Sequence, residues 1–330
     1  MSVLLFPRPD YAHALADQLL APSGLHTSVR SGVFLSNIRR VGKSTFLRNE
    51  LVPELRQRGA IVIYVDLWAD VNRAPLDLVL EAVRAELRTL QGAGHGLLKR
   101  VKGASLGAAG LSFSFQLDTL GLPGGATLAQ AMRELVQAAE TDVVLIVDEV
   151  QQAAGTTGNA LMAALKAARD QVNGDPQARG HFLFIGTGSH RSFMNDMATK
   201  PSHPFAGAVT ATFEPLPQDY VAWRLKQLAA DRVRLPSPGA AWRGFQTLGH
   251  RPEELERALG QFQAAPQGSD AEFDLICATL AYAAADIEFA RAGEIGGELG
   301  QMVFTRIANG PEEGTRELYG KAALADYAAT

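Results

Sequence analysis

The chain has 330 residues, of which 47% are hydrophobic and 20% are charged. That composition is typical of a globular protein and excludes a disordered or fibrous chain. With 31 Lys and Arg against 35 Asp and Glu, the net charge is −4, so the molecule as a whole lacks the positive field that draws a protein to nucleic acid.

The first part of the chain has the pattern of an α/β domain. From residue 31 to residue 215, short apolar runs alternate with amphipathic stretches, which predicts a mostly parallel sheet flanked by helices. The predicted strands are 32–36, 61–67, 143–147, 181–186 and 209–213. The predicted helices between them are 43–58, 76–90, 128–139 and 159–172. The glycine-rich stretch 92–125 interrupts this pattern and predicts an inserted loop or hairpin.

After residue 217 the strand pattern disappears. The rest of the chain predicts helices that are separated by Pro and Gly. These helices are 218–229, 239–246, 252–263, 270–291, 299–308 and 316–328. A domain boundary is therefore expected near residue 215.

The cysteine content and the apolar runs bear on the compartment. The one cysteine, Cys277, excludes an internal disulfide and favours a reducing environment. The first residues lack the basic lead and apolar run of a signal peptide, and no apolar stretch approaches the ~20 residues of a membrane helix. We therefore expect a cytoplasmic protein.

The most informative segment is the sequence Asn-Ile-Arg-Arg-Val-Gly-Lys-Ser-Thr at 37–45, between a predicted buried strand and a predicted amphipathic helix. In that context, consecutive backbone N–H groups form a concave site for phosphate oxygens. Lys43 would bridge the β- and γ-phosphates and Ser44 would offer its hydroxyl to Mg²⁺. The other predicted nucleotide-binding residues are Asn37, Arg39, Arg40, Val41, Gly42 and Thr45. The alternative interpretation is a surface turn that contains Gly-Lys-Ser by chance.

One residue departs from the phosphate-loop pattern. Asn37 stands where that pattern has glycine. Asparagine is the residue other than glycine that best tolerates positive φ. We therefore expect the turn to form with Asn37 in place of glycine, at a modest steric cost.

A second segment supplies acidic residues. The apolar strand 143–147 is followed by Asp148 and Glu149, and ligands of open α/β sheets collect at the carboxyl ends of strands. Asp148 would hold the Mg²⁺ shell and Glu149 would polarise the attacking water. For the acidic pair alone, the alternative is the cap of a helix. We expect the loop before Lys43 and Asp148 to face each other across the tips of adjacent strands.

With these two motifs, the chain resembles a P-loop ATPase of the AAA+ group, in particular the bacterial and archaeal ATPases related to initiator and STAND proteins. The resemblance covers about residues 30–265 and depends on the segments 39–48, 147–151 and 182–189. It implies a lead segment at 1–30, an ATPase core at 31–215 with the insertion 92–125, a helical lid at 216–265 and a C-terminal helical domain at 266–330. The final helices resemble the opening of a winged-helix module, for which a structural or partner-docking bundle is the alternative.

The resemblance also implies roles for residues outside the two motifs. Thr187 or Ser189 would be sensor 1, which touches the γ-phosphate or the attacking water; a turn hydroxyl at the strand end is the alternative for both. Arg251 would be sensor 2 and reach the phosphates from the lid, unless it is an exposed arginine at a helix start. Ala208 stands where relatives often have an arginine that serves the neighbouring subunit. Arg191 is the nearby substitute, unless it is a solvated residue of a helix.

The sequence therefore predicts a Mg²⁺-dependent ATPase that binds ATP, hydrolyses it slowly and couples its nucleotide state to the engagement of a partner. ATP is preferred over GTP because of the resemblance and because the chain has no Asn-Lys-x-Asp segment. The alternative function is a nucleotide-gated binding module with negligible hydrolysis. A protein partner or self-association is expected. DNA has only the support of the basic residues 99–102, for which a solvated surface is the simpler interpretation.

Overall fold

The computed structural model describes residues 5–22, 24–92, 111–230, 233–309 and Tyr327. The chain divides into two compact units, Met1–Pro215 and Leu216–Thr330. Within the described residues, no helix is both long and apolar enough to cross a membrane.

The first unit is built around one five-stranded sheet. Its strands are β1 (Val33–Ser36), β2 (Ile61–Asp66), β3 (Val143–Asp148), β4 (Phe182–Gly188) and β5 (Val209–Thr212). Neighbouring strands are all parallel, in the order β2-β3-β4-β1-β5. The predicted parallel α/β core is confirmed. Because all strands point the same way, their carboxyl ends meet at one edge of the sheet, which we call the carboxyl edge.

The strand order corrects one expectation from the sequence. β4 lies between β1 and β3, so the loop after β1 and Asp148 at the end of β3 are two strands apart and not on adjacent strands. The order of strands along the chain does not show their order in the sheet, because a crossover connection can place the next strand on either side of the previous one. This is why the sequence alone did not reveal the inserted strand.

Helices cover both faces of this sheet. They are α1 (Pro9–Leu20), α2 (Lys43–Phe46), α3 (Val52–Gln57), α4 (Pro75–Gly92), α5 (Leu128–Ala139), α6 (Thr156–Asn173) and α7 (Arg191–Thr199). A π-helical turn, Leu47–Leu51, joins α2 to α3. Short 3-10 helices occupy Gly24–Ser31, Leu117–Thr119 and Val150–Ala153.

The predicted lead segment contains the helix α1, although no helix was predicted there. In α1, Ala12, Leu15, Ala16 and Leu19 are buried and belong to the core on the face of the sheet that also holds Leu35. Their spacing is that of one helical stripe, so this periodicity was the signal that could have revealed it.

The two sheet faces hold separate cores because successive strand side chains point in opposite directions. On β1, Phe34 belongs to one core and Leu35 to the other. Phe34 makes edge-to-face contacts with Phe184 and Phe205, with ring centroids 5.7 and 5.9 Å apart. This double packing holds the carboxyl edge in a fixed geometry.

The insertion is described from residue 111 onward. The alternating residues 111–115 form no strand, so the hairpin alternative is wrong for them. Phe113 and Phe115 pack against the core of α4 and α5, which agrees with a packing role and not with a platform for bases. The basic residues 99–102 lie outside the described residues.

The described part of the second unit consists of helices and the loops between them. Its helices are α8 (Gln218–Ala229), α9 (Pro238–Thr247), α10 (Pro252–Gln263) and α11 (Asp270–Asn309). Gly297 interrupts α11 with φ 59° and ψ −147°. Two helices were predicted here, at 270–291 and 299–308. In the structure both extend into the gap between them and are separated by this break. The predicted helix 316–328, apart from Tyr327, lies outside the described residues.

Candidate functional site

The phosphate loop, residues 37–42, connects β1 to α2. Arg40 has φ 67° and Gly42 has φ 90° with ψ 13°, both in the left-handed region. Left-handed residues turn neighbouring N–H groups toward one side of a loop and make an anion-binding concavity. A Cβ atom on Gly42 would meet no atom within 4 Å, so the backbone conformation alone, not crowding, requires glycine there.

The loop forms with Asn37 in place of glycine, and Asn37 does not use the positive φ that glycine would permit. Among the described residues other than glycine with positive φ, Arg40 is the one in this loop, and Asn37 is not among them. Instead, Asn37 Nδ2 donates to the Phe213 carbonyl oxygen (2.6 Å), and Asn37 Oδ1 accepts from the Ile38 N–H (2.7 Å). Asparagine therefore ties the start of the loop to the end of β5, which glycine could not do.

Lys43 lies over the loop that precedes it. Its Nζ donates to the carbonyl oxygens of Asn37 and Ile38, both at 2.8 Å, and the residue is buried. Burial lowers the pKa of the Lys43 ammonium, while the charges of Glu149 and Asp148 oppose this lowering. The negative charges of both acidic groups thus favour the protonated form of Lys43.

Asp148 is fully buried at the carboxyl end of β3 and is held by three donors. The Tyr64 hydroxyl donates to Oδ2 (2.6 Å). The Thr187 hydroxyl and the Glu149 N–H, the latter at 3.1 Å, donate to Oδ1. These bonds from β2 and β4 fix the carboxylate in one orientation.

Replacing Tyr64 by phenylalanine is expected to lower the free energy of unfolding by about 1.5–3 kcal/mol, because it removes a hydrogen bond to a buried carboxylate. Chemical denaturation at neutral pH, followed by circular dichroism, measures this. The control is Tyr282→Phe, since the Tyr282 side chain is 72% exposed and its change should stay within about 0.5 kcal/mol. Equal effects of the two substitutions would contradict the role given to the Tyr64 hydroxyl.

Glu149 is half-buried and begins the turn after β3 with φ 56°. Its Oε2 accepts a hydrogen bond from Nε2 of the buried Gln151, and that Nε2 also lies 3.5 Å from Ser189 Oγ. Gln151 Oε1 is buried without a hydrogen-bond partner in the described part of the chain. Gln151 fits here because Gly188 has no side chain: a Cβ at Gly188 would lie 1.9 Å from Gln151 Oε1.

The two residues predicted as sensor 1 have different surroundings. Thr187 is buried, and its hydroxyl is engaged with Asp148. Ser189 is half-buried just beyond β4, where its hydroxyl accepts from Arg39 Nε at 3.3 Å.

Residues of β2 that were not predicted as site residues also adjoin this site. Asp66 lies opposite Asp148 in the strand register and is bonded to Arg48 at 2.7 Å. Arg48 also stacks on the Tyr64 ring, with its guanidinium carbon 4.8 Å from the ring centre. The available signal was polar residues, Tyr64 and Asp66, alternating with apolar ones at the end of a buried strand.

The remaining predicted residues occupy several places. Ser44 is half-buried and Thr45 is exposed in the first turn of α2. Arg191 Nη2 donates to Thr212 Oγ1 at the end of β5 (3.1 Å). Arg251 belongs to the second unit, directly before α10, and its buried Nε has no hydrogen-bond partner among the residues described.

Among the comparisons with known proteins, similarity to one solved ATPase structure supports the fold. No family model and no curated protein sequence matches the chain. The Walker-type ATPase of Pyrococcus abyssi is similar in structure, with a TM-score of 0.56, 19% identity, and coverage of 89% of this chain and 77% of that one. The ORC2 protein of Aeropyrum pernix, in its ADPNP-ADP complexes, gives a TM-score of 0.47, 14% identity, and coverage of 99% and 86%. The ORC1 protein of Aeropyrum pernix in complex with DNA gives a TM-score of 0.44 and 15% identity, with coverage of 88% of this chain and 68% of that one.

The chain therefore has the α/β fold of a P-loop ATPase, and a helical unit follows the sheet domain along the chain. The resemblance predicted from the sequence is confirmed at the level of the fold.

Proposed function

We propose that this protein binds Mg-ATP at the carboxyl edge of the sheet and hydrolyses it slowly. The observation that carries this proposal is the meeting of two motifs at that edge. The phosphate loop with Lys43 follows β1, and Asp148 with Glu149 ends β3, in one parallel sheet. The effect of both acids on the pKa of Lys43 supports a common site.

The donor groups fit a magnesium ion that arrives with the nucleotide. Mg²⁺ prefers oxygen ligands and is usually held by one or two protein groups together with substrate phosphates. The Ser44 hydroxyl and the Asp148 carboxylate would be those groups, since Tyr64 and Thr187 already orient the carboxylate. When bound, the ion would neutralise charge on the β- and γ-phosphates.

Each of the protein groups has a separate role in the proposed hydrolysis. The oxygen of water forms a bond to the γ-phosphorus, and the bond from that phosphorus to the β–γ bridging oxygen breaks, leaving its electron pair on ADP. The water proton passes to the Glu149 carboxylate. Lys43 holds the β- and γ-phosphates, and loop N–H groups orient them. Ser189 is the better placed of the two sensor candidates to meet the γ-phosphate or the water, because the Thr187 hydroxyl is engaged with Asp148.

Phosphate release with and without Mg²⁺ tests this function. Saturating ATP and Mg²⁺ should give slow release of phosphate. Removing Mg²⁺ with a chelator should lower the rate at least ~100-fold, because the leaving charge loses its counter-ion. GTP in place of ATP checks the base preference. Release that persists unchanged in excess chelator would contradict the proposed site.

One observation favours a second candidate, a nucleotide-gated binding module with negligible turnover. Oε2 of the Glu149 carboxylate is engaged by the Gln151 amide, so a proton from water would have to go to the other oxygen, Oε1, while that bond persists. A protein held in this state would bind nucleotide and change conformation without releasing phosphate. Nucleotide binding with no release above the Glu149→Gln background would favour this candidate.

For partners, we propose another protein or a second copy of this chain. Several large apolar side chains of α11 are exposed: Leu275, Tyr282, Ile287 and Ile295, at 67%, 72%, 69% and 79%. A cytoplasmic location is also part of the proposal. Cys277 is free and buried, and burial raises the pKa of its thiol to about 12, which suits a thiol that stays reduced.

A further inference from the structure

Arg39 is an exposed arginine of the phosphate loop with no carboxylate partner among the residues that the structure describes. Its Nε donates to Ser189 Oγ (3.3 Å), and its guanidinium carbon lies 5.1 Å from the centre of the Trp68 ring. Arg48, close by, is instead paired with Asp66. Arg39 therefore carries a positive charge beside the site that no described acidic group neutralises.

The contacts of Arg39 lead to the groups proposed for hydrolysis. Ser189, which accepts from Arg39, also lies 3.5 Å from Gln151 Nε2, and Gln151 donates to Glu149. The Arg39 guanidinium is thus linked to the Glu149 carboxylate through Ser189 and Gln151. In addition to burial, the charge of Arg39 lowers the pKa of Lys43, so both cations act on one small region.

We propose that Arg39 supplies, from within the same subunit, the second positive charge that stabilises the γ-phosphoryl group during its transfer to water. This inference rests on the proposed hydrolase function. As the bond to the bridging oxygen breaks, negative charge is spread over the γ-phosphoryl oxygens and the leaving oxygen. A planar guanidinium can donate two parallel hydrogen bonds to such oxygens, and the arm of Arg39 is free to leave its single bond to Ser189.

Arg191 is the competing arginine, and its position fits this role less well. Arg191 contacts Thr212 on the edge strand β5, whereas Asp148 and Glu149 follow β3. Three strand spacings separate β3 from β5, which is ~14 Å at ~4.8 Å per spacing. Ser189, the contact of Arg39, follows β4, directly beside β3. The position that would hold a finger for a neighbouring subunit is Ala208.

The first test compares three variants in steady-state phosphate release. Arg39→Ala should lower kcat about 100-fold, because it removes charge stabilisation that is greatest in the transition state. Arg39→Lys should restore part of that loss, since lysine keeps the charge without the two-pronged geometry. Arg191→Ala is the matched control and should stay within about threefold of the unaltered protein. The kcat of the unaltered protein should not depend on protein concentration.

A second test does not depend on turnover. ADP with fluoroaluminate mimics the phosphoryl group in transfer, and calorimetry compares its binding with that of ADP alone. Arg39→Ala should leave ADP affinity within about threefold but lose at least ~10-fold of the extra affinity for ADP-fluoroaluminate. Trp68 gives an optical readout, because its fluorescence should change when Arg39 leaves its ring on binding of ADP-fluoroaluminate. This change should be absent in both Trp68→Phe and Arg39→Ala.

The outcomes separate this inference from the proposed function. An Arg39→Ala protein that keeps both its kcat and its fluoroaluminate affinity overturns the role of Arg39 while the hydrolase stands. A second outcome also overturns the role of Arg39. If Arg191→Ala lowers kcat as much as Arg39→Ala does, and if kcat rises with protein concentration, the charge comes from a neighbouring subunit. An unaltered protein that binds ADP but neither releases phosphate nor binds ADP-fluoroaluminate more tightly overturns both proposals.

Discussion

Replacing Lys43 by alanine is expected to lower the affinity for ATP at least ~100-fold, which makes it the most damaging single change at the site. The ammonium is buried and directed over the phosphate loop by its bonds to the Asn37 and Ile38 carbonyl oxygens. When a triphosphate is bound, the same group would meet the β- and γ-phosphates. Isothermal titration with a non-hydrolysable ATP analogue and Mg²⁺ measures the loss.

The control for Lys43→Ala is Lys166→Ala. The Lys166 side chain is 48% exposed and is paired with Asp170 four residues further along α6, so its removal should leave nucleotide affinity unchanged. Circular dichroism verifies that both variants are folded. If Lys43→Ala bound the analogue as tightly as Lys166→Ala, the phosphate loop would have no nucleotide to hold, and the proposed function would fail.

Replacing Glu149 by glutamine is expected to lower the rate of phosphate release about 100- to 10,000-fold while ATP still binds. The amide has nearly the shape of the carboxylate but cannot take the proton of the attacking water. Binding is retained because Lys43, the loop and Asp148 are unchanged. Single-turnover release after rapid mixing with Mg-ATP isolates this chemical step from product departure.

Glu81→Gln is the matched control for Glu149→Gln. Glu81 is an exposed residue of α4 that is paired with Arg73, and its substitution should not affect turnover. If Glu149→Gln released phosphate at the rate of this control, another group would have to activate water. Asp66, which lies opposite Asp148 in the strand register, would then be the next carboxylate to replace.

The strands could be predicted from the sequence because the sheet is covered on both faces. Each strand is a short, nearly unbroken apolar run, and each predicted strand agrees with the structure to within two residues. Phosphate-loop residues and the acids after β3 could be found for the same reason, since they directly follow such runs.

Contacts between strands could not be predicted in this way. Asp148 is bonded to Tyr64 of β2 and Thr187 of β4, and these partners follow from the spatial order of strands, which local patterns do not contain. Asn37 shows the same limit. Its mismatch with the glycine pattern suggested a backbone role, but its bond to Phe213 depends on β5 being the neighbour of β1.

Gly188 has a consequence that extends beyond its own strand. The amide of Gln151 occupies the room that a side chain at position 188 would take, with only 1.9 Å between Gln151 Oε1 and the position of an added Cβ. Any larger residue at position 188 would displace the Gln151 amide and so release Glu149, the proposed general base. The absence of a side chain at position 188 thus keeps Gln151 bonded to Glu149, and a single codon change that introduces a side chain could end this restraint.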